Sequence, residues 1–163
     1  MPIKDINHIP KLKKRLKILK KKSIRVGILG DDELAMIGAV NEFGAKIKVT
    51  AKMRNFLASQ GFYIKKNTVH IVVPERSFVR STFDNKKVVK GVFRKVRNIV
   101  SIDTNLQKAL DRAGLFMVSA IQKKIRSNIK PANHPYTVEK KGGKDKTLIH
   151  TGRLLQGITH QVV

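Results

Sequence analysis

The sequence predicts an α+β single domain, a small, mostly antiparallel sheet packed on one long helix with short flanking helices. Three observations carry that expectation. One helical pattern runs unbroken over 105–129, short runs rich in Val, Ile and Thr lie on either side of it, and Gly or Pro punctuates most junctions. The 163 residues suit one domain and can bury a real core. A basic arm or helix is expected over 1–22, ahead of a single domain over 23–163 that carries a mobile loop at 131–147.

Within 105–129, Leu106, Leu110, Ala113, Met117 and Ile121 recur at steps of four and three, which sets them on one helical face. Asp103 or Thr104 is expected as N-cap, Lys123, Lys124 and Arg126 suit the C-terminal dipole, and Pro131 stops the helix. At 1.5 Å per residue the element is about 37 Å long. Leu115, Phe116 and Val118 lie off the main stripe, so the middle is apolar nearly all round and is expected to pack on two sides.

The rest of the chain reads in order. Leu12, Leu16 and Leu19 sit at i, i+4 and i+7 among lysines, a short basic amphipathic helix. Residues 23–30 form a strand, and Asp31, Asp32 and Glu33 open a helix that ends at Gly44. Alternation over 45–50 places Ile47 and Val49 inward on a short strand. Thr50 caps a helix ended by Gly61, and 68–73 reads as a buried strand closed by Pro74. Phe78, Val79 and Phe83 are expected as buried anchors, and Arg76 and Arg80 share a face if that turn is helical. Residues 86–97 form a second basic amphipathic stretch. The Pro-, Gly- and Lys-rich stretch after Pro131 reads as a mobile excursion rather than an element, and 158–163 as a last strand that joins the sheet.

Charge is the dominant global property: 35 Lys+Arg against 11 Asp+Glu, a formal +24. That excess draws polyanions, whether nucleic acid, acidic protein or anionic lipid. Lys11, Lys13, Lys14, Arg15, Lys17, Lys20, Lys21 and Lys22 are the candidate DNA- or polyanion-facing residues. Seven Phe and two Tyr are few for a base-stacking module. With no cysteine, disulfides and thiol chemistry are excluded. The charged N-terminus lacks the apolar run of a secretory signal, and no stretch approaches a membrane span, so a soluble protein without membrane contact is expected.

No catalytic residue, metal ligand or cofactor site is expected. The five histidines are scattered without ligand spacing, and neither a phosphate-cradling GxxxxGK[ST] loop nor a GxSxG elbow occurs. Asp31, Asp32 and Glu33 are accounted for by helix capping, and a nuclease would have to recruit them.

Three separated pieces carry a resemblance. They are Asn41-Glu42-Phe43-Gly44, then 74–84 (PERSFVRSTFD), then 148–155 (LIHTGRLL), with the long helix between the second and third. In this order the chain resembles the tail-completion and virion-morphogenesis (neck, head–tail joining) proteins of tailed bacteriophages and prophages, over about 23–163. The resemblance implies a non-enzymatic virion protein, present in the host cytoplasm during assembly and then in the neck. It further implies a homo-oligomeric ring around the DNA passage, with other neck and tail proteins as partners; contact of the basic residues with packaged DNA is a hypothesis that rests on the charge and not on the family. Arg76, Phe78, Arg80, Thr151, Gly152 and Leu154 are the interface residues it implies. The lysine-rich N-terminal helix is not demanded by the family, and a basic nucleic-acid-binding module is the alternative reading.

Overall fold

The longest helix is the axis on which the other elements pack. In the computed structural model, which describes residues 8–99 and 105–163, the chain runs α1 (Ile9–Leu19), β1 (Ile24–Ile28), α2 (Asp32–Phe43), β2 (Ala45–Lys48), α3 (Ala51–Ser59) and β3 (His70–Val73). It continues α4 (Arg80–Phe83), α5 (Lys86–Ile99), α6 (Leu106–Arg126), α7 (Pro135–Lys140), α8 (Arg153–Gln156) and β4 (Ile158–Val162). The architecture is α+β, with the long helix α6 packed on antiparallel β-structure.

α6 buries Ala109, Leu110, Ala113, Gly114, Met117, Val118, Ile121 and Ile125: four of the five stripe residues are buried, Leu106 is half-buried, and Val118, expected off the stripe, is buried as well. Asn105 is its N-cap and accepts from the Lys108 N–H at 3.3 Å, whereas Asp103 and Thr104, the expected caps, lie outside the described residues. One side of α6 carries the β1–β4 pair, in register from Ile24 opposite Val162 to Ile28 opposite Ile158. The other side carries α5. Leu115 remains 56% exposed, so the two-sided packing does not close around the whole circumference.

Close approach explains the small residues on α6. A methyl added at Gly114 would overlap the His160 ring of β4, so the absent side chain is what lets helix and strand meet. Gly114→Ala is therefore expected to cost about 1–3 kcal/mol through a displaced His160, read as a lower denaturant midpoint with an unchanged slope. At Gly91 of α5 a methyl would stand 2.8 Å from Phe116 Cζ, the same device on the opposite side of α6.

The core has two parts along α6. The larger gathers Leu34, Phe78, Val118, Ile121, Ile125, Leu148, Leu154 and Ile158. The smaller surrounds Ala109 and Leu110 near the N-terminal end, with Leu19, Ile24, Val96, Leu106 and Val162 packed against it. The caps form as the sequence predicts: Asp31 accepts from the Leu34 N–H at 2.9 Å and Thr50 from the Met53 N–H at 3.2 Å.

Several expectations need correction. The strands do not form one sheet, because β2 and β3 pair only with each other as a separate antiparallel ribbon. A two-stranded ribbon has no third strand to cover it, so Ile47, expected inward, is exposed, Val49 is only half-buried, and the 68–73 strand is not buried. Phe83 is 45% exposed, because α4 is a single turn that seats Phe78 inward and swings Phe83 out. Arg76 precedes α4, so it shares no helical face with Arg80.

The 131–147 segment, expected as an excursion without an element, contains α7. His134 caps α7 through Nδ1, accepting from the Tyr136 N–H at 3.3 Å. The Lys141 ammonium donates to the Lys146, Thr147 and Ile149 carbonyls at 2.9, 3.0 and 3.3 Å. Asn128 Oδ1 accepts from the Thr147 N–H at 2.8 Å, and Phe62 stacks against Tyr136 with centroids 4.3 Å apart. These bonds satisfy the backbone groups that a long turn leaves free.

Candidate assembly surface

Glu42 occupies the last turn of α2, where the helix dipole disfavours a carboxylate. It is nevertheless buried, at 5% exposure. Four donors from one stretch of chain compensate. Oε1 accepts from Ser77 Oγ at 2.7 Å and from the Arg80 N–H at 2.9 Å, and Oε2 accepts from the Phe78 and Val79 N–H groups at 2.7 and 2.9 Å. Burial by itself would raise the Glu42 pKa, but the bonds from Ser77, Val79, Arg80 and Phe78 together outweigh it and hold the carboxyl below its ordinary value. The carboxylate thus caps the turn that leads into α4, and it does so from another helix.

Adjacent residues complete the junction. Phe43 is exposed and lies under Arg80, whose Cζ is 5.4 Å from the ring centroid and whose guanidinium pairs with Glu75. Gly44 has φ +72, and a Cβ there would meet the Glu75 nitrogen and the Val73 oxygen at 3.0 Å, so glycine alone fits. The Arg76 N–H donates to the Asn41 carbonyl at 2.7 Å. Its buried guanidinium donates to the Pro131 and Ala132 carbonyls at 2.8 and 3.1 Å, and burial lowers its pKa.

The third piece of the resemblance meets the same helix from the other end. Gly152 takes a left-handed φ of +87 as the N-cap of α8. Leu154 enters the larger core beside Leu34, and Arg153 pairs with Glu33 at 3.3 Å and Asp31 at 3.8 Å. Gln122 of α6 donates to the Leu155 carbonyl at 3.1 Å.

Above this junction lies a groove of about 310 Å³ between β1, α2 and α4. Ala35, Gly38 and Ala39 make its floor shallow, Phe78 and Val79 line one wall, and Phe43 and Arg80 stand at its edge. Met36 and Phe43 on α2, Phe56 and Tyr63 in the β2–β3 excursion, and Val72 on β3 are each more than 60% exposed. Phe43 at the groove edge and Met36 on the same helix give this apolar groove exposed side chains that suit protein–protein docking.

The residues expected at an interface divide accordingly. Arg76, Phe78 and Leu154 are buried at 6%, 1% and 7% and act within the chain. Arg80 and Thr151 face outward, and Gly152 is half-buried. Lys11, Lys13, Lys14, Lys17, Lys20, Lys21 and Lys22 are all exposed on or just after α1, with Arg15 half-buried. Glu42, Phe43 and Met36 were not singled out by residue-level reasoning. A glutamate in the last turn of a helix, against the dipole, was the available signal. Among the described residues no group of three or more His, Asp or Glu is placed to hold a metal ion, and no helix is long and apolar enough to cross a membrane. Comparison with protein-family models, curated proteins and solved structures finds no match.

Proposed function

We propose that this protein is a structural component of a phage virion that acts in tail completion or head–tail joining, assembling with neck and tail proteins as a ring around the DNA passage. One observation carries the reading beyond the resemblance of isolated pieces: all three converge on α2. Glu42 of the first clamps the 77–80 backbone of the second, and Leu154 and Arg153 of the third meet Leu34, Glu33 and Asp31 on and around the start of the same helix. Pieces scattered by chance would have no reason to form one junction. The groove and exposed apolar residues beside that junction suit a protein that works by docking rather than catalysis. In this role it resides in the host cytoplasm during assembly and in the virion neck thereafter.

Interrupting the gene in the phage or prophage that carries it, inducing, and imaging the lysate by electron microscopy tests the role. DNA-filled heads beside separate or malformed tails are expected. Intact, infectious particles would sink the reading.

A further inference from the structure

The two basic stretches, separated by more than sixty residues of sequence, meet at one end of the molecule. Leu19 of α1 and Val96 of α5 both pack against Ala109 and Leu110 of α6. α5 turns Val88, Val89, Gly91, Val92 and Val96 inward, which leaves Lys86, Lys87, Lys90, Arg94, Lys95 and Arg97 exposed. α1 does the same with Leu12 and Leu19, leaving the lysines of its sequence exposed through Lys22. No acidic residue occurs in 8–30 or 85–99. The acidic trio Asp31, Asp32 and Glu33 follows the far end of β1, beyond Ile28, which packs with the larger core rather than with the Leu110 end. Leu110 and Ile125 mark those two ends and stand about 22 Å apart along α6. The acidic trio is therefore set apart from the end where Leu19 and Val96 meet, where Asp111 of α6 stands 3.6 Å from His160 Nε2.

We infer that α1 and α5 together form a single binding surface for the phosphate backbone of duplex nucleic acid. Each helix carries a row of exposed basic residues, and the two rows meet where Leu19 and Val96 pack on α6. A duplex places one negative charge about every 1.7 Å of its axis, which suits two basic helices whose nearest carboxylate in sequence is Asp84, beside Lys86 and Lys90, and such binding needs no base-reading aromatic. An anionic membrane fits less well. α1 has no aromatic side chain, its Leu12 and Leu19 are half-buried, and its exposed apolar residues are Ile9, Leu16 and Ile18; Phe93 of α5, 68% exposed, is the one aromatic anchor on the surface, less than the broad apolar face an interfacial helix lays into lipid. The inference stands apart from the neck reading: duplex binding measures this surface, whereas particle morphology measures the neck role.

The test is fluorescence anisotropy of a labelled duplex with the full-length protein across a salt series. Three triple variants are compared, each removing the same charge from exposed positions: Lys13→Gln, Lys17→Gln and Lys20→Gln on α1; Lys86→Gln, Lys90→Gln and Arg94→Gln on α5; and Lys46→Gln, Lys48→Gln and Lys52→Gln on the β2–α3 excursion as control. The α1 and α5 variants are each expected to weaken binding about tenfold or more and to flatten the log–log salt slope by up to roughly 0.9 per lost phosphate contact, while the control stays near wild type. Circular dichroism and thermal midpoints establish that all three fold. Equal weakening by all three would reduce the effect to net charge and overturn the surface. An effect confined to one helix would overturn its composite nature. Binding to phosphatidylserine vesicles that depends on the same lysines, with weak or salt-insensitive duplex binding, would overturn the choice of nucleic acid in favour of lipid.

Discussion

Replacing Glu42 with alanine is expected to destabilise the protein by about 3–5 kcal/mol, one of the two largest single-site effects in the chain. The alanine leaves the Phe78, Val79 and Arg80 N–H groups without their acceptor, the first buried and the other two part-buried beside the groove, and each donor left unpaired costs about 1–3 kcal/mol before relaxation. Glu42→Gln is milder for a geometric reason. Its amide can turn the NH₂ toward Ser77, whose hydroxyl can accept, and keep an oxygen for Phe78 and Val79, so only the Arg80 N–H is orphaned. Urea denaturation checks the order wild type, glutamine, alanine. Equal stability of all three would show that the carboxylate holds nothing.

The same site makes a pH prediction with a definite sign. The folded pKa of Glu42 lies below its ordinary value of 4.5, so the unfolded chain binds the proton more readily. Its contribution is fully present above about pH 4.5 and is lost as pH falls through the folded pKa. Other carboxylates also titrate in that range, so the informative quantity is the stability difference between wild type and Glu42→Gln. That difference is expected to be flat from neutral pH to about pH 5 and to shrink on further acidification. A difference that grew in acid would reverse the assignment.

What the sequence made legible, and what it hid, follows from the range of the interactions. Helix α6, the caps at Asp31 and Thr50, and the β1 and β4 strands are set by periodicity and by side chains within a few residues, and all are readable in order. The strand alternation at Ile47 was equally clear but misleading, because alternation states which residues share a face and not whether anything covers it. The α7 segment was hidden by composition. Its Pro, Gly and Lys content reads as mobile, yet a lysine donating to three carbonyls and an asparagine reaching 19 positions along the chain organise it. The Glu42 clamp spans 35 to 38 positions, beyond any local rule. The resemblance marked both of its halves as pieces that belong together without showing that one caps the other.

Phe78→Ala is expected to cost a similar amount, about 3–5 kcal/mol, by a different route. The ring is 1% exposed and packs with Leu34, Ile121, Ile125 and Leu154, so truncation leaves a cavity where α2, α6 and α8 meet. For a chain of this size the thermal midpoint should fall by roughly 10 °C. Phe78→Leu should recover much of the loss, because the pocket requires volume more than aromatic character. The residue also joins two kinds of stabilisation. Its N–H donates to Glu42, its carbonyl accepts from Thr82 Oγ1 at 2.6 Å, and its ring anchors the 77–80 backbone to the core. Once the ring is gone that backbone is free to shift, its donors lose their aim at the carboxylate, and Glu42→Ala should then remove less. A double-mutant cycle between Glu42→Ala and Phe78→Ala should therefore fall short of additivity by about 1–2 kcal/mol. Strict additivity would mean that the clamp and the core anchor act independently, and that the convergence on α2 is packing without cooperation.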